Sequence, residues 1–112
     1  MKEPKADIEV LKRLFAVIES RRGEDAATSY TAKLLAGGPQ DAAKKLGEEA
    51  VETALAAATG DARQMIHESA DLLYHLMVLW AASGVAPDDV WAELARREGT
   101  SGIEEKKSRG KG

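Results

Sequence analysis

Two acidic clusters carry the chemistry that this sequence could support. The first is Glu48-Glu49-Ala50-Val51-Glu52 and the second is Glu68-Ser69-Ala70-Asp71. At about 100° per helical residue, Glu48, Glu49 and Glu52 share one arc, and Lys45 falls inside it. Leu46, Ala50, Ala54 and Ala57 lie opposite and are expected to form the packing stripe. Glu68 and Asp71 stand one turn apart, and Glu68 sits beside Leu72, Leu76 and Leu79 rather than on a polar face. An unpaired carboxylate there costs several kcal/mol after relaxation. Arg63 is the only lysine or arginine in residues 61–83, and it points to the other side. A divalent cation is the natural compensation. Hard ions such as Mg²⁺ take oxygen ligands, and facing helices that each offer carboxylates build metal sites in bundle cores.

The residues leave other readings open. Glu48, Glu49 and Glu52 also fit a solvated helix face. Lys33, Lys44 and Lys45 lie upstream of the first cluster; beside a metal they suit a polyphosphate, and singly each fits a surface charge. His75 follows Asp71 by one turn, so it either hydrogen-bonds there or is satisfied within the bundle. Gly37-Gly38 lacks the Gly-Lys-Ser/Thr of a Walker loop. No serine–histidine–acid arrangement is evident.

The elements that must position these residues are helices. Ile8, Leu11, Leu14, Phe15 and Ile18 recur at helical spacing over residues 7–22, and Gly23 ends the run. A short helix is expected over 28–36, closed by Gly37-Gly38-Pro39. Long helices are expected over 39–59 and 61–83, with Pro39 in a first turn and Gly60 and Gly84 as stops. A last helix opens at Pro87-Asp88-Asp89 and ends at Gly99. No segment alternates as a strand. The fold class is all-α, a small helical bundle, with one domain over 1–100 and a polar C-terminal tail over 101–112, expected to fray over 106–112. Residues 72–80 are apolar on most of their circumference. A chain this short is not expected to surround such a helix alone, so a homo-oligomer through the 61–83 helix is expected to complete the bundle.

Composition narrows the partners. The 112-residue chain carries 16 basic and 19 acidic residues, a formal charge of −3, which disfavours a bulk electrostatic grip on nucleic acid. It has no cysteine, which removes disulfides, zinc–thiolate and iron–sulfur sites and a cysteine nucleophile. The longest apolar run, residues 76–82, is far short of the about 20 residues a membrane span needs. The polar start is unlike a signal peptide, and a cytoplasmic protein is the expectation.

The acidic pattern resembles the MazG-type all-α nucleoside triphosphate pyrophosphatases. Within that group, further stretches resemble the phosphoribosyl-ATP pyrophosphatase family of histidine biosynthesis. They are Ser29-Tyr30-Thr31-Ala32-Lys33-Leu34, Lys44-Lys45-Leu46-Gly47 leading into the first cluster, Leu72-Leu73-Tyr74-His75-Leu76 after the second, and Ser101-Gly102-Ile103-Glu104-Glu105-Lys106. The resemblance implies Mg²⁺ held by Glu49, Glu52, Glu68 and Asp71, with Glu48 as a ligand or water-positioning base. It implies phosphates facing Lys33, Lys44 and Lys45, with Ser29, Tyr30 and Thr31 near the substrate. The implied reaction is phosphoribosyl-ATP and water giving phosphoribosyl-AMP and pyrophosphate. In some organisms this domain is fused to a cyclohydrolase that holds zinc through cysteines; the short, cysteine-free chain is expected to be the stand-alone form. Two other functions remain compatible with the residues: a house-cleaning pyrophosphatase acting on ordinary or damaged nucleotides, and a helical interaction module without chemistry.

Overall fold

The computed structural model describes residues 3–98, together with Gly102, Lys106, Lys107 and Arg109. Five helices follow in order: α1 (Val10–Ser20), α2 (Tyr30–Ala36), α3 (Gly38–Thr59), α4 (Ala62–Ser83) and α5 (Pro87–Arg97). No strand occurs among the described residues. Ser29 caps α2 by accepting the Ala32 amide, and Asp61 caps α4 by accepting the Gln64 amide at 3.1 Å. Gly60 and Gly84 close α3 and α4 in the left-handed region, at φ 76° and 72°, where a Cβ would be strained. Helix α1 is shorter than the 7–22 periodicity predicts. The Asp7 carboxylate accepts the Glu9 amide at 3.0 Å, a local turn that competes with the helical ladder.

Helices α3 and α4 form an antiparallel hairpin turned at Gly60-Asp61, and they hold the acidic residues. Helices α1 and α2 pack on the C-terminal half of α4. Ile18, Leu34, Leu35, Ala42, Met77, Val78 and Ala81 form the core, with Leu11, Leu14, Phe15 and Trp80 against it. Trp80 meets Trp91 of α5 edge-to-face, ring centres 5.7 Å apart. Arg22 donates to the Ala81 carbonyl at 2.8 Å, tying the end of α1 to α4.

Two packing expectations change. The inward face of α3 runs through Ala42, Glu49 and Ala56, while Ala50, Ala54 and Ala57 are exposed. Alanine is nearly neutral between core and surface, so the alanine stripe does not orient the helix; Glu49 lies on the inward face, where one of its oxygens comes within 4.8 Å of Glu68 across the hairpin. The second change concerns residues 72–80. One chain covers most of this stretch, leaving only Leu73 exposed there; exposed apolar side chains lie elsewhere, among them Ile8 on the approach to α1, Val51 and Leu55 on α3, Met65 and Ile66 at the start of α4, and Leu94 on α5. The four described tail residues are helical; the rest of the 99–112 segment, including Ser101, Ile103, Glu104 and Glu105, lies outside the described residues.

No single helix among the described residues is long and apolar enough to cross a membrane.

Candidate active site

The hairpin brings Glu49, Glu52 and Glu68 together, with one oxygen of each within 4.8 Å of the others. Glu49 and Glu68 are each 7% exposed. Their Oε2 atoms are buried with no hydrogen-bond partner. Such an atom costs about 1–3 kcal/mol when left unpaired, and two sit in one place. Glu68 Oε1 is the better-served oxygen, accepting from Gln64 Nε2 at 2.7 Å. The Thr53 hydroxyl lies 2.8 Å from the Glu49 carbonyl and 3.2 Å from the Glu68 carbonyl, which locks the two helices together at the level of the acids. Neither Gln64 nor Thr53 stands out in the sequence; the Gln64–Glu68 spacing of one turn was the available signal for the first, and nothing local marks the second.

Charge accumulates here. Glu52 holds its proton above the ordinary glutamate range, first through a hydrogen bond shared with Glu68 and then through the like charge of that same group; Asp71 adds to this and Lys45 opposes it. Lys45 is the counter-ion within the cluster, 3.4 Å from Glu48 and 3.8 Å from Glu49. Its hydrogen bond to Glu48, helped by nearby Tyr30, raises its pKa and keeps it cationic. Glu48 is exposed at the rim.

Asp71 stands apart from Glu49 and Glu52 in this geometry. Its carboxylate groups instead with Glu68 and His67, and its Oδ2 lies 3.4 Å from His67 Nε2. The Asp71 carbonyl accepts from His75 Nδ1 at 2.7 Å. A carbonyl can only accept, so His75 carries its proton on Nδ1, and Nε2 accepts from the Tyr30 hydroxyl at 3.1 Å. Buried His75 thus meets both alternatives, hydrogen-bonded to the Asp71 carbonyl and satisfied within the bundle by Tyr30. The Tyr30 ring is half exposed, but its hydroxyl turns inward, and burial raises its pKa, with Lys45 opposing the rise. Thr31 Oγ1 pairs with the Tyr74 hydroxyl beside it. These two links fasten the start of α2 to α4 one turn beyond Asp71.

The remaining candidates are placed differently. Ser29 spends its hydroxyl capping α2. Lys33 and Lys44 are exposed and pair with no acid among the described residues. Of the three lysines, the fold brings only Lys45 onto the acids.

Fold and site together define a class of small all-α proteins that gather carboxylates from two facing helices. Residues 11–98 match the family model described as phosphoribosyl-ATP pyrophosphohydrolase. Curated relatives named phosphoribosyl-ATP pyrophosphatase include one from Azospirillum brasilense, 57% identical over 97% of this chain and 98% of its own. One from Parvibaculum lavamentivorans is 61% identical over 94% of this chain and 96% of its own. Another, from Rhodospirillum rubrum, is 59% identical over 92% and 88%. The chain belongs to the phosphoribosyl-ATP pyrophosphohydrolase family.

Proposed function

We propose that this chain hydrolyses the α–β phosphoanhydride of phosphoribosyl-ATP, with Mg²⁺ held by Glu49, Glu52 and Glu68 and with Asp71 at the edge of the same cluster. The products are phosphoribosyl-AMP and pyrophosphate, and the place in metabolism is histidine biosynthesis. The observation that carries the metal reading is the pair of buried, unpartnered Oε2 atoms on Glu49 and Glu68. Three oxygen donors within 4.8 Å of one another fit a hard divalent cation. When bound, such an ion polarises phosphoryl oxygens and lowers the pKa of an attacking water.

The chain's own groups supply the rest. Glu48, on the open rim of the cluster, orients the water and takes its proton. Lys45 neutralises Glu48 and Glu49 in the resting protein and turns to a phosphate oxygen when substrate arrives. Lys33 and Lys44 attract the polyphosphate as mobile point charges. Ser29, Tyr30 and Thr31 border the substrate at the start of α2, a segment held in place by the Tyr30–His75 and Thr31–Tyr74 links. A homo-oligomer through the 61–83 helix fits the uncovered Met65, Ile66 and Leu73 on that helix. Val51 and Leu55, about 60% exposed on the neighbouring α3, add further uncovered apolar surface. The location is the cytoplasm, and neither nucleic acid nor membrane is a partner.

The test is phosphoribosyl-ATP turnover in EDTA and after Mg²⁺ is restored. Activity lost and then recovered supports the reading; activity unchanged in EDTA contradicts it.

A further inference from the structure

We infer that the Tyr30 hydroxyl reads a sugar hydroxyl of the nucleotide by accepting its hydrogen bond, with buried His75 as the positioning residue, an assignment that rests on the function proposed above. The Asp71 carbonyl can only accept, so His75 Nδ1 keeps its proton there, at 2.7 Å. Nε2 of that ring then offers only a lone pair, and the Tyr30 hydroxyl donates its single proton to it at 3.1 Å. A phenol has no second proton. What Tyr30 can still present is oxygen lone pairs, and the residue is 50% exposed, open enough for a ligand to reach them. Lys45, Glu48 and Glu49 are all near enough to act on this hydroxyl electrostatically, which sets it beside the acids. The frame around it is stiff. His75 is buried, and its ring meets that of Tyr74 edge-on, with centres 4.9 Å apart. Tyr74 also stacks with Tyr30, and its hydroxyl pairs with Thr31.

Substrate chemistry selects the matching donor. Phosphate oxygens are acceptors, so a hydroxyl whose proton is already committed cannot serve them. The donors of phosphoribosyl-ATP are its sugar hydroxyls and the N–H groups of its base. With the anhydride at the acids, the hydroxyls of the ribose that bears the triphosphate are the first donors met beyond the phosphates. The competing account is that the Tyr30–His75 bond only fastens α2 to α4. Breaking a mere fastening weakens every nucleotide alike, whereas removing a reader weakens only those that carry the hydroxyl.

The test compares wild type and Tyr30→Phe on phosphoribosyl-ATP and on its 2′-deoxy and 3′-deoxy counterparts, altered in the ribose that bears the triphosphate. The wild type should favour phosphoribosyl-ATP over at least one counterpart by about three- to tenfold in kcat/KM, the scale of one net hydrogen bond. In Tyr30→Phe that preference should vanish, the loss on phosphoribosyl-ATP falling on KM more than on kcat. His75→Asn keeps an N–H for the Asp71 carbonyl but no acceptor that reaches Tyr30, and should narrow the preference; His75→Gln, with an amide oxygen near the Nε2 position, should retain it. A preference that is absent in the wild type or persists in Tyr30→Phe overturns the inference while hydrolysis stands. A wild-type preference in His75→Asn removes His75 from the positioning role. No hydrolysis of phosphoribosyl-ATP by the wild type overturns the proposed function and this assignment with it.

Discussion

Replacing Glu68 by glutamine separates a carboxylate kept for a cation from one kept for the fold. The side chain is buried, one oxygen accepts from Gln64, and the other has no partner. Glutamine keeps the acceptor for Gln64. It also puts an N–H₂ where the orphaned oxygen lay, within reach of the Glu49 and Glu52 carboxylates. An unpaired buried polar atom costs about 1–3 kcal/mol, so the metal-free variant should be at least as stable as wild type and up to about 1 kcal/mol more so. For a domain of this size that is a rise in Tm of 0 to about 4 °C. Mg²⁺ at a hundred times its Kd should add about 2.7 kcal/mol to the wild type, or about 10 °C, and nothing to the variant. Turnover should fall at least about 10²-fold, the scale for losing one electrostatic group at a reacting centre. Thermal melts with and without Mg²⁺, paired with steady-state kinetics, read all three quantities. A variant that melts well below wild type without metal would show Glu68 to be structural. A variant that keeps the Mg²⁺ shift or near wild-type kcat would refute the assignment.

Three further outcomes are expected. Lys45→Met should lower kcat/KM about ten- to a hundredfold, or about 1.4–2.8 kcal/mol, while Lys12→Met as a remote control changes it less than about twofold; equal behaviour returns Lys45 to the solvated surface. Glu93 has its pKa lowered to about 2, first by Arg96 and then by Arg97, so its contribution to stability is complete above its ordinary value of 4.5 and is lost as pH falls from there through about 2. An NMR titration of its carboxyl should show that low midpoint, and a midpoint near 4.5 would dissolve the Glu93–arginine cluster. Sedimentation at micromolar concentration should show an oligomer that Ile66→Glu dissociates; a well-folded 12.0 kDa wild-type monomer would contradict the interface.

What the sequence made legible follows from where the determining physics is local. Ser29, Asp61, Gly60 and Gly84 act on their own helix ends, so four helix boundaries could be read to within a residue or two. Glu68 could be placed beside an apolar stripe because the stripe lies on its own helix. The inward turn of Glu49 could not, because its neighbour is Glu68 on another element and the surrounding alanines prefer neither side. The Thr53 bridge, the Tyr30–His75 link and the separation of Asp71 from Glu49 and Glu52 all depend on contacts between distant residues. Spacing along each helix gave two separate clusters and only the resemblance joined all four acids in a single set; the hairpin brings Glu49, Glu52 and Glu68 together and groups Asp71 with Glu68 and His67.

The most direct test of the account is product analysis with phosphoribosyl-ATP set against a panel of ordinary deoxynucleoside triphosphates, each in Mg²⁺ and in EDTA. The account predicts phosphoribosyl-AMP and pyrophosphate in equal amounts, only in Mg²⁺, with kcat/KM for phosphoribosyl-ATP well above that for every member of the panel. Release of single phosphates, turnover in EDTA, or equal or faster cleavage of a deoxynucleoside triphosphate would contradict it.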